Sequence, residues 1–122
     1  MSKKFRLTVS DAVGFEVKGK LNDGGARPLD FRFRVTAERI PVQTYREALA
    51  PDSGITTRDF IHARLRSWSG QTLVIDEDGV SADLCPESLD VMLSLVGMEG
   101  AILGAYLEAL TVASTAEGRA KN

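Results

Sequence analysis

The amino-acid sequence predicts an α+β fold, in which an N-terminal antiparallel β-hairpin or small three-stranded sheet is followed by about four α-helices. Apolar residues alternate with polar ones in the first third of the chain, and they recur at helical spacing in the rest. A chain of 122 residues of which 43% are hydrophobic can bury a core of its own. We therefore expect one domain over residues 1–113 and a flexible polar tail over residues 114–122.

The β-hairpin is predicted over residues 13–37, because two runs of alternating residues flank a turn-rich loop. The loop, residues 22–28, contains glycines that can adopt positive φ and Asn and Asp side chains that bond their own backbone. The apolar residues of the two runs are Phe15, Val17 and Leu21, then Leu29, Phe31, Phe33 and Val35. On the polar face, Glu16, Lys18 and Lys20 can lie opposite Arg34, Arg32 and Asp30.

A further short strand is predicted before the hairpin. Phe5, Leu7 and Val9 alternate with Arg6 and Thr8, which is the period of a half-buried strand.

Four helices are predicted over residues 42–50, 57–69, 86–96 and 98–113. Pro41 and Pro51 bracket the first, and Thr56 is placed to cap the second, which Trp68 would close. Pro86 suits the first turn of the third, and Gly97 separates the last two as a helical hairpin. Between the second and third helices, an extended segment leads into an acidic turn at residues 76–79.

Composition excludes several classes of function. With 15 Lys+Arg against 17 Asp+Glu, the net charge of -2 gives no basic footprint for general nucleic-acid or membrane binding. The most apolar window, residues 91–113, contains Glu99 and Glu108, so we expect no membrane span. A single cysteine and the lack of an apolar signal core after the first residues indicate a cytoplasmic protein.

No set of residues in the sequence is typical of an active site, so we expect a protein that is not an enzyme and binds no metal and no cofactor. His62 is the sole histidine, which rules out a histidine cluster for zinc. Cys85 precedes Pro86 at a helix start, where its pKa can fall, but no base accompanies it and an inert residue is favoured. The acidic triplet before Gly79 lacks the spacing of a calcium loop and indicates a tight turn.

The last two helices contain more apolar residues than one narrow stripe needs. The surplus either faces the sheet or binds a partner helix, and both alternatives remain open at this point. Gly100 and Gly104 also match the small-xxx-small pattern, whose simplest explanation is close helix packing. The candidate partner-binding residues are Met92, Leu95, Met98, Leu103, Tyr106, Leu107 and Leu110.

The second half of the chain resembles the small tail assembly chaperones of long-tailed phages. The resemblance consists of Trp68, the apolar run into residues 76–79, a helix that begins near residues 86–89, a break at Gly97, the run Ala-Tyr-Leu-Glu-Ala-Leu over residues 105–110, and the terminal Ala-Lys-Asn. Family members often have prolines and an aromatic residue between the acidic turn and the next helix. This chain has Val-Ser-Ala-Asp-Leu at residues 80–84 instead.

The resemblance implies a non-catalytic protein that binds the tape-measure protein in the host cytoplasm and helps recruit tail-tube subunits around it. Such a protein can self-associate and is absent from the mature virion. Family members are also made in a second, longer form by ribosomal frameshifting. Codons for the terminal Ala-Lys-Asn are compatible with a slippery sequence, which reading the gene would test.

Two other functions stay open. A structural phage tail or head-tail connector subunit is favoured by the β-hairpin, because tube subunits build rings through their sheets. A host regulatory interaction module would instead use the strand that carries Arg32 and Arg34, together with the helix that carries Arg58, Arg64 and Arg66, as its binding surface, and salt-dependent nucleic-acid binding would support it.

Overall fold

A computed structural model describes residues 4–113 and confirms the predicted α+β class. The sheet precedes and partly interleaves with the helices, because its third strand follows the second helix directly. In chain order the elements are β1 (Ala12–Leu21), β2 (Leu29–Glu38), α1 (Val42–Leu49), α2 (Thr57–Arg64), β3 (Leu65–Ser69), α3 (Pro86–Leu93) and α4 (Met98–Leu110). The predicted flexible tail at 114–122 lies outside the described residues.

The hairpin forms as predicted, and its register is one in which the polar residues of the two strands lie opposite one another. β1 and β2 are antiparallel, with Glu16 opposite Arg34, Lys18 opposite Arg32 and Lys20 opposite Asp30. The apolar parity faces the helices, and the buried residues of the two strands are Val13, Phe15, Val17, Phe33, Val35 and Ala37. The charged parity faces outward, so one face of the sheet is solvated and the other supplies the core.

The third strand contradicts the predicted helix over residues 57–69. α2 ends at Arg64, and Leu65 to Ser69 pair antiparallel with β2, so that Trp68 lies opposite Val35. In this position the Trp68 ring is buried edge-on against Phe33, with 6.1 Å between ring centroids. Ladder bonds and this burial outweigh the continuation of a helix through Ser67 and Ser69, which are weak helix formers.

The strand predicted at Phe5, Leu7 and Val9 does not form. Residues 4–10 belong to no strand, and the three apolar side chains are 89%, 75% and 56% exposed. The sequence pattern was suited to a strand, but β1 has only β2 beside it in the sheet order β1-β2-β3. We call residues 4–9 the N-terminal arm.

The last two helices meet at a corner, where a helical hairpin was predicted. The chain direction turns by 109° between α3 and α4, and Gly97 takes φ 91° at the turn. α3 ends at Leu93 and α4 at Leu110, each three residues earlier than predicted. At the second end, Thr111 is extended and its hydroxyl donates to the Leu107 carbonyl, which closes the helix.

α4 crosses the inner face of the sheet and packs mainly on β1. Its central side chain, Tyr106, is fully buried, stacks on Phe15 at 5.7 Å and contacts Phe60 of α2 at 5.9 Å between ring centroids. The buried hydrophobic residues of the described chain form one cluster around these rings. This packing fixes which side of α4 faces inward and which side is left to solvent.

Candidate partner-binding surface

The seven candidate partner-binding residues divide into two groups. Met92, Met98 and Tyr106 are buried at 0%, 3% and 0% exposure, so they have no surface to offer a partner in this conformation. Leu95, Leu103, Leu107 and Leu110 are partly exposed. Three of these four leucines share α4, and they define the candidate surface that the structure leaves available.

Tyr106 lies in the core and attaches α4 to the sheet. Its hydroxyl donates a hydrogen bond to the backbone carbonyl of Glu38 at the end of β2. Burial raises the pKa of the phenol above its ordinary value of 10.0. The side chain therefore ties the helix to the sheet as a neutral donor and does not contribute to a binding face.

The side of α4 that faces away from the sheet is a strip of glycine and leucine. Gly100 and Gly104 are exposed, and a Cβ atom built on either glycine would meet no atom within 4 Å outside the helix's own backbone. Leu103 and Leu107 are half-exposed beside them, and Leu107 is not among the residues packed against the core cluster. At 3.6 residues per turn these four positions lie within about 100° of one another. We call them the α4 outer face.

A shallow apolar cleft continues this face at the C-terminal end of α4. Leu110 and Thr111 form one wall, and Ile40, Val42 and Tyr45 form the other. The cleft has a volume of about 280 Å³, and Val42 on its rim is 62% exposed. Its lining can accept an apolar side chain from a partner.

A polar cluster fixes the helices that carry this surface. Arg58 of α2 pairs with Asp90 of α3 at 2.9 Å and with Glu99 of α4 at 3.5 Å. His62, one turn after Arg58, bonds the same Asp90 carboxylate at 2.7 Å. The His62 hydrogen bond, with a smaller contribution from Arg58, holds the pKa of Asp90 below its ordinary value of 3.8. The cluster joins three helices across the α3–α4 corner.

The arginines proposed for a regulatory surface are largely occupied by carboxylates. Besides the pairs of Arg58, Arg64 lies 3.1 Å from Glu38 and Arg66 lies 3.4 Å from Asp11. Paired guanidinium groups present less charge to a phosphate backbone than free ones. This arrangement does not favour nucleic-acid recognition by α2 and β3.

Cys85 caps α3 through its thiol, which accepts a hydrogen bond from the Ser88 backbone N–H at 3.4 Å. The Ser88 hydroxyl, and secondarily this backbone bond, lower the pKa of the thiol from its ordinary value of 9.0. The residue is exposed. Its chemistry is that of a helix cap, and no base lies in contact with it among the side-chain hydrogen bonds of the described residues.

The acidic segment is a turn, as predicted. Asp76 accepts hydrogen bonds from the backbone N–H groups of Asp78 and Val80, and Gly79 has φ 79°. Within residues 4–113 no group of three or more His, Cys, Asp or Glu side chains is arranged to hold a metal ion.

The same residue range has no single helix long and apolar enough to cross a membrane; α3 and α4 meet that test only as a pair bent by 109°.

One buried polar residue was missed by sequence reasoning. Gln71 is 3% exposed, and its amide bonds the backbone of Leu73, Val74 and Ala82. Ala82 also accepts from the Trp68 indole N–H at 2.8 Å. Together these bonds close the segment of residues 71–82 on itself and join its end to Trp68. A lone glutamine after Gly70 gives no sequence signal for this role.

No family model, curated protein or solved structure matches this chain.

Proposed function

We propose that this chain is a tail assembly chaperone of a long-tailed phage, a non-catalytic protein that binds helices of the tape-measure protein and helps recruit tail-tube subunits. The observation that supports this proposal best is the α4 outer face. It is a partly exposed apolar helix surface with two open glycines; Leu107 is not packed against the core, and Leu103 is packed against it only in part.

The open glycines require an explanation because they are costly inside a helix. Glycine at an interior helical position is about 1 kcal/mol less favourable than alanine. An alanine methyl group at Gly104 would meet nothing within 4 Å, so the chain's own fold does not need glycine there. A partner helix that packs closely against the α4 backbone would need it, because small residues allow such an approach.

Leu103 and Leu107 supply apolar contact area beside the glycines. A partner helix that presents apolar residues every three or four positions would pack on these leucines, as in other helix-in-groove complexes. One of its side chains would enter the cleft between Leu110 and Tyr45. The tape-measure protein is long and helical in the family that the sequence resembles, so it offers many such segments.

The remaining parts of the proposal follow from the same resemblance. The protein acts in the host cytoplasm during assembly and leaves before the virion is complete. A longer, frameshifted form would add residues beyond Asn122, and the codons for Lys121 and Asn122 decide whether that form can be made.

Co-expression with the long helical protein encoded just downstream tests the proposal. The measurement is the fraction of that partner that stays soluble and co-purifies. We expect wild-type protein to solubilise it, and Leu107→Asp or Gly104→Leu to lose most of this effect. Both variants should fold, because Leu107 is half-exposed and the space at Gly104 is open.

Val80→Asp is the matched control. Val80 is 59% exposed and lies at the end of the acidic turn, where its carbonyl accepts a hydrogen bond from the Asp76 backbone N–H. The Val80→Asp substitution introduces the same charge at another exposed apolar residue, so co-purification of the partner should persist. Equal loss in the control and in Leu107→Asp would reject the α4 outer face as the binding surface.

The structural-subunit alternative is favoured by one observation, the hairpin of two ten-residue strands, of which β1 forms an edge of the sheet. The chaperone proposal predicts that the chain is absent from the finished virion, whereas this alternative predicts that it is present there. Detection of this chain as a stoichiometric component of purified particles, together with an insoluble partner in the co-expression, would replace the chaperone proposal with this one.

A further inference from the structure

The N-terminal arm has a strand pattern but no strand partner within residues 4–113. Its apolar residues, Phe5, Leu7 and Val9, point away from any packed neighbour and are 89%, 75% and 56% exposed. Leu7 and Val9 line an open cleft of about 470 Å³ together with Ile40 and Val42, and both stay more than half exposed there. Together the three side chains present roughly 400 Å² of apolar surface, a size typical of an interaction site on a monomer.

The sheet of the same chain has a long edge strand. β1 is the outer strand on one side of the order β1-β2-β3, and it is ten residues long. The strand at the opposite edge, β3, is only five residues long. Unpaired backbone groups on a long edge strand are a template for another strand.

The charged side chains of β1 make its first half the more suitable edge for an added strand. Lys18 and Lys20 lie in the second half of β1 and disfavour strand addition there. In the first half, residues 12–17, Glu16 is the one charged side chain. This half is six residues long, as is the arm, residues 4–9.

The arm does not reach the β1 edge of its own chain. The carbonyls of Ser10 and Asp11 both accept hydrogen bonds of 2.8 Å from Arg39, so the chain still runs beside β2 at that point. Folding back on β1 across residues 10 and 11 would need a tight hairpin turn with positive φ. Among the described residues only glycines have positive φ.

We propose that the arm adds as an edge strand to residues 12–17 of β1 in a second copy of this chain. Its apolar parity then extends the apolar face formed by Val13, Phe15 and Val17, since both segments alternate with period two. The proposal goes beyond the partner binding assigned to α4, because it uses the opposite end of the chain. Each copy has one arm and one edge, so exchange forms a closed dimer when reciprocal and a ring or filament when head-to-tail.

The oligomeric mass of the full-length protein, measured by sedimentation velocity over a range of concentrations, tests this proposal. We expect wild-type protein to associate as concentration rises. Leu7→Asp should weaken association at least tenfold, because it places a carboxylate in the apolar face of the added strand. The monomer fold should be unaffected, since Leu7 is 75% exposed.

Thr8→Asp is the matched control, because Thr8 adjoins Leu7 and lies on the opposite, polar parity of the arm. It adds the same charge at the neighbouring position and should leave association intact. Hydrogen exchange supplies a second readout: amides of residues 4–9 and 12–17 should both be protected in the wild-type oligomer and both lose protection in Leu7→Asp.

Three results would overturn the proposal. The first is wild-type protein that stays monomeric at every concentration. The second is an oligomer whose mass is the same in Leu7→Asp. The third is protection of the arm in the monomer, which would mean that the arm closes on its own cleft at Ile40 and Val42.

Discussion

Replacing Gly104 by alanine should stabilise the free protein, and the structure sets the size of the gain. Gly104 lies in the interior of α4, has no positive φ and has no atom within 4 Å of an added Cβ. Alanine therefore adds helix propensity without a clash. We expect the free energy of unfolding to rise by about 0.5–1 kcal/mol, which corresponds to roughly 2–6 °C in Tm for a domain of this size.

Gly97→Ala is the matched comparison for this prediction. A Cβ at Gly97 also meets nothing within 4 Å, but the residue has φ 91°. The two substitutions differ in backbone conformation and not in available space, so Gly97→Ala should destabilise the protein by about 1–2 kcal/mol.

Urea unfolding followed by circular dichroism measures both changes, with an unchanged m-value as the check that the transition is comparable. A Gly104→Ala variant that is less stable than wild type would refute the reasoning. It would mean that the α4 outer face is already covered in the free protein.

Three further substitutions test the packing that supports this surface. Tyr106→Phe removes the hydrogen bond to the Glu38 carbonyl and should cost about 0.5–1.5 kcal/mol in urea unfolding, with no change in binding after correction for stability. Gln71→Leu leaves buried backbone groups unpaired and should cost about 2–3 kcal/mol by the same assay; a neutral result would reject its role in holding residues 71–82. The His62 hydrogen bond lowers the folded-state pKa of Asp90, so this contribution to stability is complete above pH 3.8 and is lost as pH falls through the lower folded-state pKa. The difference in urea midpoint between wild type and Asp90→Asn should therefore shrink in that acid range, and a difference independent of pH would contradict the assignment.

The hairpin and its buried parity could be predicted, because their signals are local. Alternation in two runs and a glycine-rich loop act within about 25 residues of chain. The length of the loop leaves the register open, and the structure selects the one in which Glu16 lies opposite Arg34.

β3 could not be predicted, because its sequence also fits a helix. Ile61, Leu65 and Trp68 recur at helical spacing, and only pairing with β2 and contact with Phe33 select the strand. The N-terminal arm shows the converse. Its alternation predicts a strand, but within residues 4–113 the arm pairs with no strand.

The candidate residues predicted on α4 include both buried and partly exposed side chains. Periodicity shows that α4 is apolar, yet both sides of it are apolar, so spacing cannot separate Tyr106 from Leu107. Packing against Phe15 and Phe60 makes the distinction. The open glycines, first attributed to packing within the domain, became informative once the structure showed no neighbour there.

Site-specific photo-cross-linking tests the central claim most directly. An apolar photoreactive side chain in place of Leu107, which leaves Gly100 and Gly104 open, and in a second variant in place of Val80, would be activated in cells that co-express the downstream helical protein. We predict that position 107 captures this partner and position 80 does not. Capture of the partner at position 80 alone, or at neither position while the partner is soluble and co-purifies, would contradict binding through the α4 outer face.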